Sequence, residues 1–577
     1  MILNLILILI LIITFFTFII IFFKTGKSTV VKDEVEYSLE WLCEQIKIDF
    51  DKRLRANIRE LNLNMTESLK VERQRKKLKK AYKECALGDI GDKNLIKDYI
   101  KNELLNNYKI TADNINEFIN FQSIKQLDST TLFLILLNHY KKQYGYNALK
   151  EIILQNNLDF LRKEGNEEGY FIDKADIKYL LSKEDITMSF NDKLEILTQL
   201  IYQKNNGNGV VDEILDQSVD GVSGGESGIP EWALDDSVES ILSNNLVYSY
   251  DSVWIFFQAK KIHLRFLTFG SEKELERVCK NVYQYDYPGQ LSASNGYKIN
   301  QMKNGSRVTV LRPNLTESWV FIIRKFDNVV AKEIDDLTKN KTISKILISL
   351  VKGCQVTGIT GQQGTGKTTL LKAMIGYINS NYPLRIQELE FELWVRKLYP
   401  NRSIITFRET DVTKGEEALE VIRKSDGGVT IFGEVVSPLV AAWLVATAHV
   451  ATRMTMFTHH ADSTKILVNT FRNALLTKGG FSTENIALEE VVGALRFDVH
   501  VEVIQDAQGK MHRFIERITE IIPDDEKIYT LNDVVKYDYE SGEYVFNRIS
   551  DATLVNMKKN MKVEDYNNLL NLLEGGM

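Results

Sequence analysis

Three observations predict an α/β protein in which an α/β domain follows a small α+β domain and a long helical region. Residues 354–360 are strand-like and run into a glycine-rich loop. Leu370, Leu371, Met374, Ile375 and Ile378 then recur at helical spacing. Residues 429–434 and 454–457 are apolar runs of buried-strand type, separated by helical patterns, as a parallel sheet requires. No proline occurs before Pro230, which suits long helices upstream. With 577 residues the chain has room for several domains.

Residues 2–23 are apolar except for Asn4, Thr14 and Thr17, a length that spans a bilayer as a helix. No lysine or arginine precedes this run, and Lys24, Lys27 and Lys32 follow it. The expectation is one transmembrane anchor over 1–24, single-pass in the cytoplasmic membrane, with the bulk of the chain cytoplasmic. The four cysteines are scattered and form no CxxC pair, so reduced thiols are expected rather than a zinc or disulfide framework. The net charge of −6 makes nucleic acid an unlikely partner for the chain as a whole.

Residues 33–180 read as helical. Within them 70–83 carries eight basic residues, expected as the solvated face of a helix that buries Leu69, Leu78 and Tyr82. Contact with an anionic membrane surface is the alternative. Residues 181–330 read as the α+β domain. In it, 205–230 looks like loops around one short helix, 253–257 and 262–266 like strands, 272–283 like a helix, and 307–311 and 319–323 like strands. The stretch Val222-Ser-Gly-Gly-Glu-Ser227 has the look of a transporter-ATPase signature but precedes the phosphate loop instead of following it, so that reading is rejected. Residues 331–525 read as the α/β domain, closed by a strand pair at 500–504 and 513–521. Residues 526–577 read as a polar strand and helical tail.

The sharpest motif is Gly361-Gln362-Gln363-Gly364-Thr365-Gly366-Lys367-Thr368, which is GxxxxGK[ST]. Small residues let backbone N–H groups converge on nucleotide phosphates. Lys367 can reach the terminal phosphates, and the Thr368 hydroxyl can bind Mg²⁺. Thr369 continues into the helix, whose N-terminal partial positive charge faces the anion. ATP and Mg²⁺ are the expected ligands. Hydrolysis needs a carboxylate to activate water, and Glu434 stands at a strand end after Gly433. His459 and His460 end the next strand and can bond a terminal phosphate. Glu388, Glu390 and Glu392 alternate with apolar residues, which gives an acidic face or a solvated strand edge. Arg402, Arg408 and Arg423 are available to neutralise transferred-phosphate charge.

On these residues the chain resembles the secretion ATPases of the type II/type IV superfamily, and within it the tight-adherence (Flp-type) pilus assembly branch, over roughly residues 180–520. The phosphate loop matches at 361–368, the Gly-Glu strand at 429–434, and the histidine box at Phe457-Thr-His-His-Ala461. An acidic box falls near Glu388. Gly305-Ser306-Arg307-Val308 and Ile323-Arg324-Lys325-Phe326 match two motifs of the family's smaller domain. The resemblance implies a RecA-like ATPase domain, a homo-hexamer, and a membrane platform protein as partner. It points to His460 rather than His459, sets the acidic box at Glu388 and implies Arg324 at the phosphates; with Glu434 as the water-activating base, Lys367 and Arg423 from the residues above, these are the expected catalytic groups. The arginine it would place after the Gly-Glu strand is replaced by Val435-Val436-Ser437. Two other readings stay open, a DNA-transfer motor and a nucleotide-binding membrane scaffold with little hydrolysis.

Overall fold

The structure is a computed structural model that describes the chain except for residues 1–37, 56–64, 166, 185, 234–245, 259, 287, 327–331, 389–390, 409–419, 422–423, 426–427, 451, 506–510 and 576–577. The expected anchor over 1–24 lies outside the described residues, as do Glu390 and Arg423. Among the described residues no helix is long and apolar enough to cross a membrane. The chain divides into two units, one made of residues up to 85 with 90–138 and 181–207, the other of 86–89, 139–180 and 208–577.

The first unit is helical. Helices Leu39–Arg55, Ile90–Asn106 and Phe190–Asn205 pack around Leu42, Ile46, Ile100, Leu104, Leu197 and Tyr202. The basic run lies on helix Met65–Glu84, with its lysines and Arg73 exposed, Arg75 half-buried and Ala81 buried, as a solvated face requires. Leu69, expected inside, is 47% exposed, because the helix makes its core contacts in its last turns around Leu78, Ala81 and Tyr82.

The second unit holds two sheets. The upstream segment is not wholly helical, since Arg162–Glu164 (β1) and Glu167–Gly169 (β2) form a hairpin. Phe171–Ile172 (β3) then pairs in parallel with Lys260–Leu264 (β6), so the smaller sheet begins upstream of residue 181. Its other strands are Gly221–Gly224 (β4), Val253–Phe257 (β5), Tyr297–Gln301 (β7), Arg307–Leu311 (β8) and Val320–Arg324 (β9). Their order is β3-β6-β5-β4-β9-β8-β7. β4 falls where loops were expected. It is central and buried at all four positions, and its glycines permit that, because a Cβ on Gly221 would lie 2.4 Å from the Ile323 carbonyl oxygen. Beside this sheet, Lys260 is buried against Asp159, donating to its carboxylate and to its backbone carbonyl, each at 2.7 Å.

The larger sheet contains Thr357–Thr360 (β10), Leu384–Glu388 (β11), Ile404–Arg408 (β12), Val429–Phe432 (β13), Met454–His459 (β14), Phe497–Gln505 (β15), Met511–Asp524 (β16), Ile528–Tyr537 (β17) and Tyr544–Phe546 (β18). The order is β12-β11-β13-β14-β10-β15-β16-β17-β18, parallel through β15 and antiparallel beyond. Successive side chains face opposite ways. Ile431 and Met456 therefore join a core with helices Lys341–Lys352 and Lys367–Ile375, whereas Phe432 and Phe457 join one with helices Pro438–Val450, Thr464–Lys478 and Glu484–Ala494. The tail is less separate than expected. β17 and β18 extend the same sheet, and Met557, Leu569 and Leu573 of the last two helices enter the core around helix Lys341–Lys352.

Asp159→Ala strands a buried ammonium, so it should lower unfolding free energy by about 3–5 kcal/mol in chemical denaturation, while Asp159→Leu combined with Lys260→Met should lose much less. Equal losses would mean that charge compensation is not what holds residues 139–180 to the small sheet.

Candidate active site at the phosphate loop

β10 sits between β14 and β15 and ends at Thr360. Gly361 turns the chain at φ +138°, and a Cβ there would stand 2.2 Å from the Val501 carbonyl oxygen, so only glycine fits. Gly364 and Gly366 also have positive φ, and Gly366 leads into helix Lys367–Ile375. Thr365 closes the loop by donating to the Gln362 carbonyl at 3.0 Å. Lys367 is buried beneath the loop. Its ammonium donates to the carbonyls of Gly361 at 2.9 Å and Gln362 at 2.7 Å. Thr368 and Thr369 are half-buried on the first turn. This glycine cradle with a buried lysine and a helix N-terminus fits nucleotide phosphates, with Thr368 as the hydroxyl that would hold Mg²⁺.

Two strand ends converge on the lysine. Thr458 donates its hydroxyl to the Gly433 carbonyl at 2.6 Å, and the Val435 N–H donates to the Thr458 carbonyl at 2.9 Å, tying the ends of β13 and β14 together. The two histidines then diverge. His459 is buried, donates from Nδ1 to the Val435 carbonyl at 2.7 Å, and meets Phe471 edge-on, and burial holds its pKa below the usual value. His460 faces the loop, with Nδ1 3.3 Å from the Lys367 ammonium and Nε2 2.8 Å from Glu434 Oε1. Because an ammonium can only donate, Nδ1 accepts and the Nε2–H donates to the carboxylate. Lys367, His460 and Glu434 thus form one hydrogen-bonded row. Burial pushes the lysine down to about 8, against the opposing pull of Glu434.

Glu388 takes another position. β11 lies between β12 and β13 with all five residues buried, so it is not a solvated edge. The Glu388 carboxylate accepts from the backbone N–H groups of Glu392 at 2.9 Å and Leu393 at 2.7 Å, and burial raises its pKa to about 7. Burial also raises Glu392, whose carboxylate lies 4.0 Å from the Arg307 guanidinium. Lys372 on the phosphate-loop helix is depressed by burial and feels both carboxylates.

The small sheet supplies the cations on this side. Gly305 stands against the Trp394 ring, which sets Arg307 beside Glu392. Arg324, at the end of β9, contacts the phosphate loop itself. With the Gln363 side-chain oxygen turned toward it, the amide accepts from the guanidinium at 2.6 and 3.2 Å.

The other arginines part company. Arg402 binds the carbonyls of Ile375 and Asn379 beyond the phosphate-loop helix, and Arg408 lies over the Phe391 ring. Where an arginine was expected after the Gly-Glu strand, Val435 is buried and the Ser437 hydroxyl accepts from the Val440 N–H in the first turn of helix Pro438–Val450. Arg513, on β16, was not anticipated. Its Nε donates to the Gly364 carbonyl at 3.1 Å, a contact between residues far apart in the chain that no local pattern announces.

No protein-family model matches the chain, and no curated protein matches it. Among solved structures it is similar to the pilus retraction motor PilT with bound ADP (13% identity, TM-score 0.38, covering 63% of this chain and 88% of that one). It is similar to the ATPase DotB of Legionella pneumophila (13%, TM-score 0.36, covering 53% and 78%). A third is the VirB11 ATPase of the Brucella suis type IV secretion system in complex with sulphate (15%, TM-score 0.26, covering 52% and 88%). At such identities and TM-scores, the functional reading rests on the site's own residues.

A lysine held near 8 ties nucleotide affinity to pH. The charged form binds phosphates, so the Kd for a non-hydrolysable ATP analogue should stay level below about pH 8 and then weaken toward tenfold per unit above it. Lys367→Arg, charged throughout, should flatten the upper limb. Calorimetric titrations from pH 6.5 to 9.5 measure both, and a level wild-type profile would contradict the depressed lysine.

Proposed function

We propose that this chain is a Mg²⁺-dependent ATPase motor of the type II/type IV secretion superfamily, in its tight-adherence pilus assembly branch. In this reading it works as a homo-hexamer at the cytoplasmic face of a membrane, anchored through residues 1–24 and acting on a membrane platform protein. The observation that carries the catalytic part is the row Lys367–His460–Glu434 at the mouth of the phosphate loop.

The loop's backbone N–H groups and Lys367 bind the phosphates of ATP, and the Thr368 hydroxyl takes a place on the metal. Mg²⁺, held through Thr368, would supply charge neutralisation to the phosphates when bound. Glu434, half-exposed at the strand end, orients water and accepts its proton. His460 holds the Glu434 carboxylate through Nε2–H and touches the lysine through Nδ1, so it responds to whatever the lysine binds. Arg324 approaches the phosphates from the small sheet through Gln363. Glu388 accepts from the backbone N–H groups of Glu392 and Leu393 from within the sheet and so carries the acidic box as a support for Glu392. Arg423 remains in the proposal as a cation for the transferred phosphate across a subunit boundary. Coupling of hydrolysis to motion between the two sheets' domains would drive pilin or secreted subunits.

Lys367→Ala should reduce ATP turnover by at least about 100-fold with the fold intact by circular dichroism. Glu434→Gln should keep nucleotide affinity within about threefold while turnover falls by about 10²–10⁴. Steady-state phosphate release and analogue binding on the purified oligomer separate the two effects. Full turnover in Glu434→Gln removes that residue from the mechanism, absence of turnover in the native chain favours a scaffold, and stimulation by duplex DNA favours a DNA motor.

A further inference from the structure

Beyond the phosphate loop, a cavity of about 310 Å³ opens between the start of helix Thr464–Lys478 and strands β16 and β17. That volume is at the lower end of the range for small-molecule sites. The cavity shares no lining residue with the phosphate loop, Glu434 or His460.

One end is charged, with Lys536 4.0 Å from Asp533. Lys465, Arg517 and Lys536 line it with Glu516 and Asp533. Both acids are engaged, Glu516 accepting from Tyr539 at 2.9 Å and from Arg517, and Asp533 accepting from Thr519 at 2.7 Å. Lys465 is exposed and has no partner among the described residues. It lies in the first turn of a 15-residue helix that has no acidic residue there, where the backbone favours an anion and a lysine alone is disfavoured. The other end is aromatic. Tyr537 and Tyr539 meet edge to face at 5.3 Å, Phe514 backs Tyr537 at 4.8 Å, and Tyr539 is 57% exposed.

Arg517 connects the cavity to the chemistry. It donates to the Asp462 carbonyl at 3.3 Å, two residues after His460, and lies 3.7 Å from the Asp498 carboxylate. Asp498 is fully buried and accepts from Thr464 and from Thr360, each at 2.6 Å. Thr360 is the residue before Gly361. An anion that draws Arg517 into the cavity therefore competes with the contacts that hold both the His460 turn and the strand beneath the phosphate loop.

We propose that this cavity is a second ligand site for a small phosphate-bearing planar molecule of nucleoside-monophosphate size. The anion binds Lys465, Arg517 and the helix N-terminus, and the ring lies against Tyr539. Its effect on nucleotide binding rests on the function proposed above, but its occupancy does not.

The test is calorimetry on the full chain pre-saturated with Mg²⁺ and a non-hydrolysable ATP analogue, titrated with AMP, GMP and inorganic phosphate. We expect at least one monophosphate to bind at one per chain. Lys465→Glu should weaken it at least about tenfold, and Tyr539→Ala at least about fivefold, the lower end of what one ring-stacking contact contributes. Both residues are exposed, so both variants should fold. A separate titration of the analogue keeps a failure of the phosphate loop distinct from a failure of the cavity. No monophosphate binding up to about 5 mM, binding unchanged by Lys465→Glu, or inorganic phosphate binding as tightly as the monophosphates would each overturn the site.

Discussion

The register of β10 against its neighbours decides where every reactive group lies. Thr360 is paired with His459 on one side and His500 on the other, so Gly361 and His460 leave the sheet side by side. Phe432 is paired with Phe457, which brings Gly433-Glu434 level with the end of β14. A slip of one residue would turn every side chain to the opposite face, exchanging the buried His459 for the outward His460 and moving Phe457 out of its core. The apolar cores on the two faces make that slip prohibitive. The geometry of the site is therefore set by packing well away from it, and the polar residues need only occupy the positions they are given.

Burial then tunes those positions. Lys367 is held in a poorly solvated cradle, and its ligands there are two carbonyls, a ring nitrogen and the nearby field of Glu434, none of which compensates fully for lost water. A cation so placed binds phosphate more strongly than an exposed one, because the interaction is little screened. Glu388 and Glu392 are the counterpart. Burial pushes both toward the neutral form, and what keeps them usable is backbone N–H donation to the first and the Arg307 guanidinium beside the second. Because Arg307 and Arg324 both belong to the smaller sheet, the charge balance around Glu392 depends on that sheet's cations.

The legible parts of the sequence were those whose chemistry is local. The phosphate loop declares itself because three positive-φ positions demand glycine within six residues, and Glu434 and His460 because each follows directly on an apolar strand. Other features escaped for physical reasons. β4 is a strand that must be rich in glycine to lie against Ile323, and glycine is the usual mark of a loop. The alternating acids after Arg385 suggested an edge, yet β11 lies inside the sheet between β12 and β13, because the buried Glu388 carboxylate is satisfied by the backbone N–H groups of Glu392 and Leu393. Arg513, Arg307 and Glu392 gain their meaning only from contacts across the fold. β17 and β18 looked like a polar tail because, on the antiparallel side of the sheet, much of each strand's surface is only partly covered.

Beneath the loop the design changes from apolar to polar. Asp498 has no solvent, and an ionised carboxylate there would be costly without partners. It has two hydroxyls at 2.6 Å and the more distant Arg517, while His500 bonds the same Thr360 hydroxyl through Nδ1 at 2.9 Å. Since Thr360 gives its proton to the carboxylate, its oxygen accepts from the histidine, which is therefore protonated on Nδ1. Burial keeps that imidazole's pKa low despite Glu502 and Glu516 nearby. An apolar floor would hold the strand equally well but would be indifferent to charge. A floor made of a carboxylate, two threonines and a nearby arginine is instead sensitive to charge, and it lies directly beneath the residue that precedes Gly361.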